Sequence, residues 1–228
     1  MRSDTYTIVF TTIVTVVLGL GLSVTADSLR ERQSINEELD IKKNILSVLG
    51  FSLSSDLEND KIQSLYEQNI NEFIVDKTGS ILSSIESSNS DNYTIYQSRE
   101  NDKVTGYAIP IAGKGLWGTM YGYFAIEPDA ETVKGITFYR HKETPGLGAE
   151  VDNPRWKDLW PGKKIYQNKE VKLTVMKGKV PSDDINIDYR VDGLSGATLT
   201  SRGVTNMITY WFGESGYSKL FEELSYES

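Results

Sequence analysis

From Thr5 to Ala26 the chain reads TYTIVFTTIVTVVLGLGLSVTA, without a charged residue. A helix of that length rises roughly 33 Å, enough to cross the hydrocarbon core of a bilayer. Val24-Thr25-Ala26 has the small-x-small form of a cleavage site, which gives the same stretch a second reading as a secretory signal. The run is longer than an ordinary signal core, and only Arg2 and Asp4 bring charge ahead of it. A retained transmembrane helix over 5–26 is therefore the expectation. Arg2 lies on one side and Arg30 and Arg32 on the other, so orientation is weakly encoded. The short tail in front cannot hold a domain, which leaves everything functional in residues 27–228.

Beyond the anchor, Leu29, Ile35, Leu39, Ile45, Leu46 and Leu49 recur at roughly helical spacing, and Gly50 is a stop signal. The pattern predicts a helix over Ser28–Leu49 that stands the domain off the bilayer. A short helix is expected over Asp60–Asn69, and the serine- and asparagine-rich stretch from Ile81 to Asn92 reads as a loop. Alternating apolar and polar residues then predict strands over Tyr93–Gln97, Val104–Pro110, Tyr121–Ile126, Gly135–Arg140 and Val171–Met176. Five short strands without intervening helices imply an α+β fold, a mostly antiparallel sheet with flanking helices.

Composition removes several chemistries. The chain has no cysteine, so disulfides, iron–sulfur clusters and thiolate metal sites are excluded. A single histidine, His141, excludes a multi-histidine metal centre. The formal net charge of −8 argues against a nucleic-acid partner. Redox chemistry would have to come from an organic cofactor. GKGLWG, at 113–118, matches G-x-G-x-x-G, yet a strand-like segment rather than a helix follows it. GLSGA around Ser195 lacks the last glycine of a nucleophile elbow and has only His141 as a base. Neither carries a function.

The stretch DGLSGATLTSRGV, at 192–204, is more informative. After it, Val204, Met207, Ile208, Trp211 and Phe212 fall on one face of a helix that Gly213 terminates. The helix is expected to begin near Thr200 or Ser201, one of which would cap it. Gly193, Gly196 and Ala197 allow close approach to the backbone. A helix start with free amides suits a phosphate. Capping needs one hydroxyl and leaves Ser195, Thr198 and Thr205 unexplained.

Asp192-x-x-Ser195-Gly196-Ala197-Thr198 resembles the flavinylation motif of the FMN-binding domains in sodium-pumping NADH:quinone reductases and their Rnf relatives. In that family FMN is joined through its phosphate to a threonine oxygen by a separate flavin transferase. The resemblance implies Thr198 as acceptor with Thr200 as fallback, and it places Leu194, Ser195, Gly196 and Ala197 around the phosphate. A second segment, ETPGLGAEVDNPRWKDLWPGKK at 143–164, is similar to the family's flavin-contacting region. The KKNILSVLG helix, GKGLWGTMYGY and the WFGESGY tail extend the likeness over nearly the whole chain. The tail and WKDLWPGKK resemble the quinone reductase C subunit more than its Rnf counterpart.

The residues of the second segment agree with this. Pro145, Gly146 and Gly148 form a tight turn with little bulk, and Leu147 at its apex presents an apolar surface to a flat ring. Thr144 and bare amides suit the polar edge of such a ring. Glu143 is either a site residue or a cap of the turn. Trp117 is either an aromatic neighbour of the flavin or a buried core residue. Lys177 is either a counter-ion for the phosphate or a solvated strand lysine. The resemblance implies an electron-carrying subunit that makes no bond in a substrate, with covalent FMN and a binding core at about 93–213. It also implies an outward-facing, periplasmic domain on the inner membrane, working beside the other membrane subunits of a redox complex. An Rnf-type subunit and a membrane-anchored sensory module are the alternative readings.

Overall fold

The computed structural model describes residues 4–54, 57–82 and 92–227. Arg2 and positions 83–91 of the expected serine-rich loop lie outside them. Helix α1 runs from Asp4 to Val48, so the two predicted N-terminal helices are one element. Between the apolar run and the expected second helix stands Asp27 alone, with no proline to break the ladder. Asp4–Arg30 has the length and composition of a membrane span, and its side chains are unburied. The chain divides into two compact units, the first ending at Ile41 and the second starting at Lys42.

Within the second unit, the last turns of α1 bury Ile45, Leu46 and Val48. Gly50, at φ 89°, ends the helix as the sequence predicts, with Phe51 N–H returning to the Leu46 carbonyl. Helix α2 follows over Asn59–Asn69. The sheet is an antiparallel meander of β1 (Ile70–Val75), β2 (Tyr93–Glu100), β3 (Lys103–Lys114), β4 (Thr119–Ile126) and β5 (Val133–Arg140), in that order. Four predicted strands are present, each longer than expected. The fifth is β1, which lies outside the predicted set. Val171–Met176 is instead divided between two-residue pairings outside this sheet, Glu170–Val171 with Tyr166–Gln167 and Thr174–Val175 with Arg190–Val191.

After β5 come a 3₁₀ turn at Gly148–Asp152, helix α3 (Pro154–Lys157), helix α4 (Thr198–Phe212) and helix α5 (Ser218–Glu227). The predicted apolar face of α4 is buried throughout: Val204, Met207, Ile208, Trp211 and Phe212 all join the core. Helix α4 lies against β3. A Cβ on Gly203 would stand 2.4 Å from the Lys114 carbonyl, and one on Gly113 would meet Met207 at 2.9 Å. The Trp211 indole donates to the Ala112 carbonyl at 2.7 Å. Phe124 of β4 packs edge-on to Phe212 and Trp160, at 4.7 and 5.9 Å between centroids. These contacts hold the start of α4 beside the β3–β4 turn.

Candidate functional site

Four segments meet at the N-terminus of α4. In the 192–198 loop, the Asp192 carbonyl accepts from the Trp156 indole at 2.8 Å and its Oδ1 accepts from the Val180 amide at 2.8 Å. The Asp192 carboxylate is therefore a clamp on the preceding loop. Gly193 donates to the Gly178 carbonyl at 2.7 Å, and a Cβ on it would lie 2.0 Å from the Met176 carbonyl. Its bare face meets protein backbone and not a ligand, which corrects the expectation for that glycine. Leu194 is buried, with its amide donating to Ser201 Oγ at 3.0 Å.

Gly196 turns the chain at φ +72° and Ala197 occupies the cap position without a side-chain bond. Helix α4 thus begins at Thr198, earlier than predicted, and neither Thr200 nor Ser201 caps it. Both hydroxyls have other duties. Ser201 Oγ donates to the Ala197 carbonyl at 3.2 Å, and Thr200 Oγ1 to Glu143 Oε2 at 2.5 Å. Thr205 Oγ1 accepts from the Val175 amide at 2.9 Å. Thr198 and Ser195 are exposed, with no side-chain hydrogen bond among the described residues. The first turn of α4 carries no acidic residue.

The 143–148 segment is a turn in which the Leu147 amide donates to the Thr144 carbonyl at 3.1 Å. Pro145 and Gly146 hold its central positions, with Gly146 at φ +74°, the left-handed conformation a type II turn demands. Gly146 and Leu147 are exposed at the apex, and Gly148 is buried behind them. Thr144 precedes Pro145 at the base of the turn. The apex reaches the loop: a Cβ on Gly196 would be 2.8 Å from Leu147 Cδ2.

Glu143 is 5% exposed. Besides the Thr200 hydroxyl it receives the Trp117 amide on Oε1 at 3.0 Å, so one carboxylate ties the β3–β4 turn to α4. It fills the space that side chains on Gly115 and Gly148 would need: a Cβ on either would stand 2.5 or 2.6 Å from its oxygens. GKGLWG is thus a hairpin turn. Trp117, far from being buried, is 66% exposed, and Leu116, Leu147 and Leu199 are exposed with it. Lys177 is exposed in the turn packed on Gly193, beyond the strand where the sequence places it.

These residues fit a phosphorylated flat ring. Two exposed hydroxyls and a helix start without a side-chain cap suit a phosphate, while Leu147 and Trp117 present apolar surface beside them. Leu199, Gly115 and Ser201 also shape the site and are absent from the predicted set. Of these only Leu199, an apolar residue interrupting the polar run that opens α4, carries a local signal in the sequence.

The sequence model of the family described as FMN-binding domain matches residues 115–213, a span holding all four segments. The C subunit of the Na(+)-translocating NADH-quinone reductase of Pseudomonas aeruginosa is 31% identical, over 98% of this chain and 97% of its own. The chain belongs to that C-subunit family. The Pasteurella multocida member is 36% identical over 94% of this chain and 93% of its own. The crystal structure of Shewanella oneidensis NqrC superposes with a TM-score of 0.72 at 27% identity, covering 82% of this chain and 97% of that one. Family membership agrees with the likeness read from the WFGESGY tail and sets aside the sensory-module reading.

Proposed function

We propose that this chain is the electron-carrying flavoprotein subunit of a Na+-translocating NADH-quinone reductase, with FMN fixed through its phosphate to Oγ1 of Thr198. One observation carries the assignment of the acceptor. Among the hydroxyls of 195–205, Thr200, Ser201 and Thr205 are committed to protein partners, whereas Thr198 stands exposed at the first position of α4. The Ser195 hydroxyl and the amides opening the helix are placed to hold the remaining phosphate oxygens. Lys177 supplies a positive charge beside the loop.

FMN supplies the electron-accepting and electron-donating chemistry when bound, and the protein supplies placement and potential. Leu147 and Trp117 offer apolar faces, and Thr144 with the turn amides offers hydrogen bonds to the ring's polar edge. Glu143 holds the turn and the helix start in one register. No residue here makes a bond in a substrate. A tether at the phosphate keeps the cofactor while leaving the ring free for transfer. Maturation requires a flavin transferase, and electrons pass to and from other membrane subunits. Helix α1 anchors the chain in the inner membrane as a single span over about 5–26, and residues 27–228 face the periplasm, with the flavin core over about 93–213.

Intact mass of the full chain, co-produced with a flavin transferase, tests the attachment. The expected mass includes one FMN stable to denaturant; Thr198→Ala removes it and Thr200→Ala keeps it. An unmodified wild-type chain, or flavin persisting on Thr198→Ala, overturns the assignment.

A further inference from the structure

His141 is the first residue beyond β5, and its imidazole uses both nitrogens. Nδ1 accepts the Glu143 amide at 3.2 Å. Nε2 lies 2.7 Å from Asp152 Oδ2. A nitrogen that accepts carries no proton, so the partners assign the proton to Nε2, which donates to Asp152.

The two partners have a telling position in the chain. Glu143 opens the turn that carries Thr144, Gly146 and Leu147, and Asp152 closes the 3₁₀ turn that follows it. One ring therefore ties both ends of the loop from 141 to 152 together. The ring is well sheltered, with its side chain 12% exposed, whereas Asp152 is 48% exposed. Asp152 is also held from a third element: Lys157 of α3 faces it electrostatically while donating to Thr137 Oγ1 on β5 at 3.1 Å.

Through the Glu143 amide, the ring fixes the start of the segment whose carboxylate grips Thr200 and Trp117. Neither the Glu143 backbone nor its side chain is then free to drift, and Leu147 stays seated on Gly196. Resting on the flavoprotein reading above, we propose that His141 is a positioning residue of the flavin site. Its neutral imidazole closes the 141–152 loop and so sets where Leu147 and Thr144 meet the ring. It acts through Glu143 and Asp152 and does not itself touch the cofactor.

The test uses full-length flavinylated protein in detergent, reading visible circular dichroism of the flavin, its midpoint potential and thermal unfolding. His141→Leu removes both bonds; the population with the turn seated falls roughly threefold to tenfold, the factor one hydrogen bond carries in an equilibrium. Its dichroism should drop and its potential depart from wild type while FMN stays on Thr198. His141→Asn places an acceptor oxygen near the position of Nδ1 and should restore both signals, which a loss of general stability would not predict. Wild-type dichroism and potential in His141→Leu overturn the proposal, as does an Asn variant displaced as far as the Leu variant. Should His141→Leu fail to fold, Asp152→Ala decides the matter, because it removes the acceptor of Nε2–H and leaves the ring held at Nδ1 alone. Unchanged signals there overturn the proposal, and a displaced potential supports it. A wild-type chain without FMN would instead defeat the flavoprotein reading.

Discussion

Thr200 donates its hydroxyl to Glu143 Oε2 at 2.5 Å, with both side chains buried and 57 positions apart in sequence. This bond, rather than a capping bond, is why a threonine stands at the third position of α4. Thr200→Val keeps the shape and removes the donor, leaving the buried carboxylate with the Trp117 amide alone among its described partners. The expected cost is about 1–3 kcal/mol, the range for stranding a buried polar group. Chemical unfolding measures it. FMN should remain attached, since the bond lies beneath the proposed attachment point, Thr198, and not at it.

The two glycines of the loop should respond differently to alanine. At Gly193 the new methyl would meet the Met176 carbonyl at 2.0 Å, and backbone cannot step aside cheaply. A loss near 3 kcal/mol is expected, about the upper end for overpacking. At Gly196 the obstacle is the end of the Leu147 side chain, and the left-handed backbone adds about 1–2 kcal/mol. Adding Leu147→Ala to Gly196→Ala should recover the steric part and leave the backbone part. A double variant as destabilised as Gly196→Ala alone would refute this division.

Helix α4 and four of the five sheet strands are legible because their periodicity is local: a face of Val204, Met207, Ile208, Trp211 and Phe212 declares itself in nine residues. Strand β1 is not, because INEFIV follows directly on a helix with no glycine or proline to mark the change. The single helix from Asp4 to Val48 reads as two because its hydrophobic pattern changes where its backbone does not. At the site, the motif marks the loop that opens α4, but the duties of its hydroxyls depend on Glu143 and Val175, far off in sequence. Trp117 carries no local sign of exposure. A tryptophan between glycines fits a core or a rim equally well, and only the hairpin turn decides.

A pH-dependent contribution is expected from Asp129, in the β4–β5 connection. Burial works to raise its pKa, yet hydrogen bonds from the Thr132 hydroxyl and the Glu131 and Thr132 amides, with Lys164 nearby, hold it below the usual carboxylate range. A depressed folded pKa stabilises the fold above the unfolded carboxylate value, about 3.9, and the benefit disappears as pH falls through the lower folded value. Asp129→Ala should therefore destabilise the protein near neutrality by about 1 kcal/mol, the scale of a lost hydrogen-bonding cap. The gap to wild type should close in strong acid. A gap of constant size from pH 7 to 2 would show that packing, not ionisation, is responsible.

The anchor yields the last expectation. Asp4–Arg30 is unburied and is long and apolar enough to cross a membrane, and a helix satisfies its own backbone groups in lipid. Val16 lies near the middle of this span, where a lysine costs about 2.5–3.5 kcal/mol on insertion scales. Val16→Lys should lower the membrane-bound fraction, whereas Gln33→Lys, beyond the apolar run, should leave it unchanged. If the large domain faces the periplasm, protease added to intact spheroplasts digests it while cytoplasmic proteins survive. Protection under those conditions would reverse the orientation. Sequencing the mature N-terminus separates anchor from signal: a chain that begins at Asp27 was cleaved after Ala26, and one that retains Thr5 keeps its membrane helix.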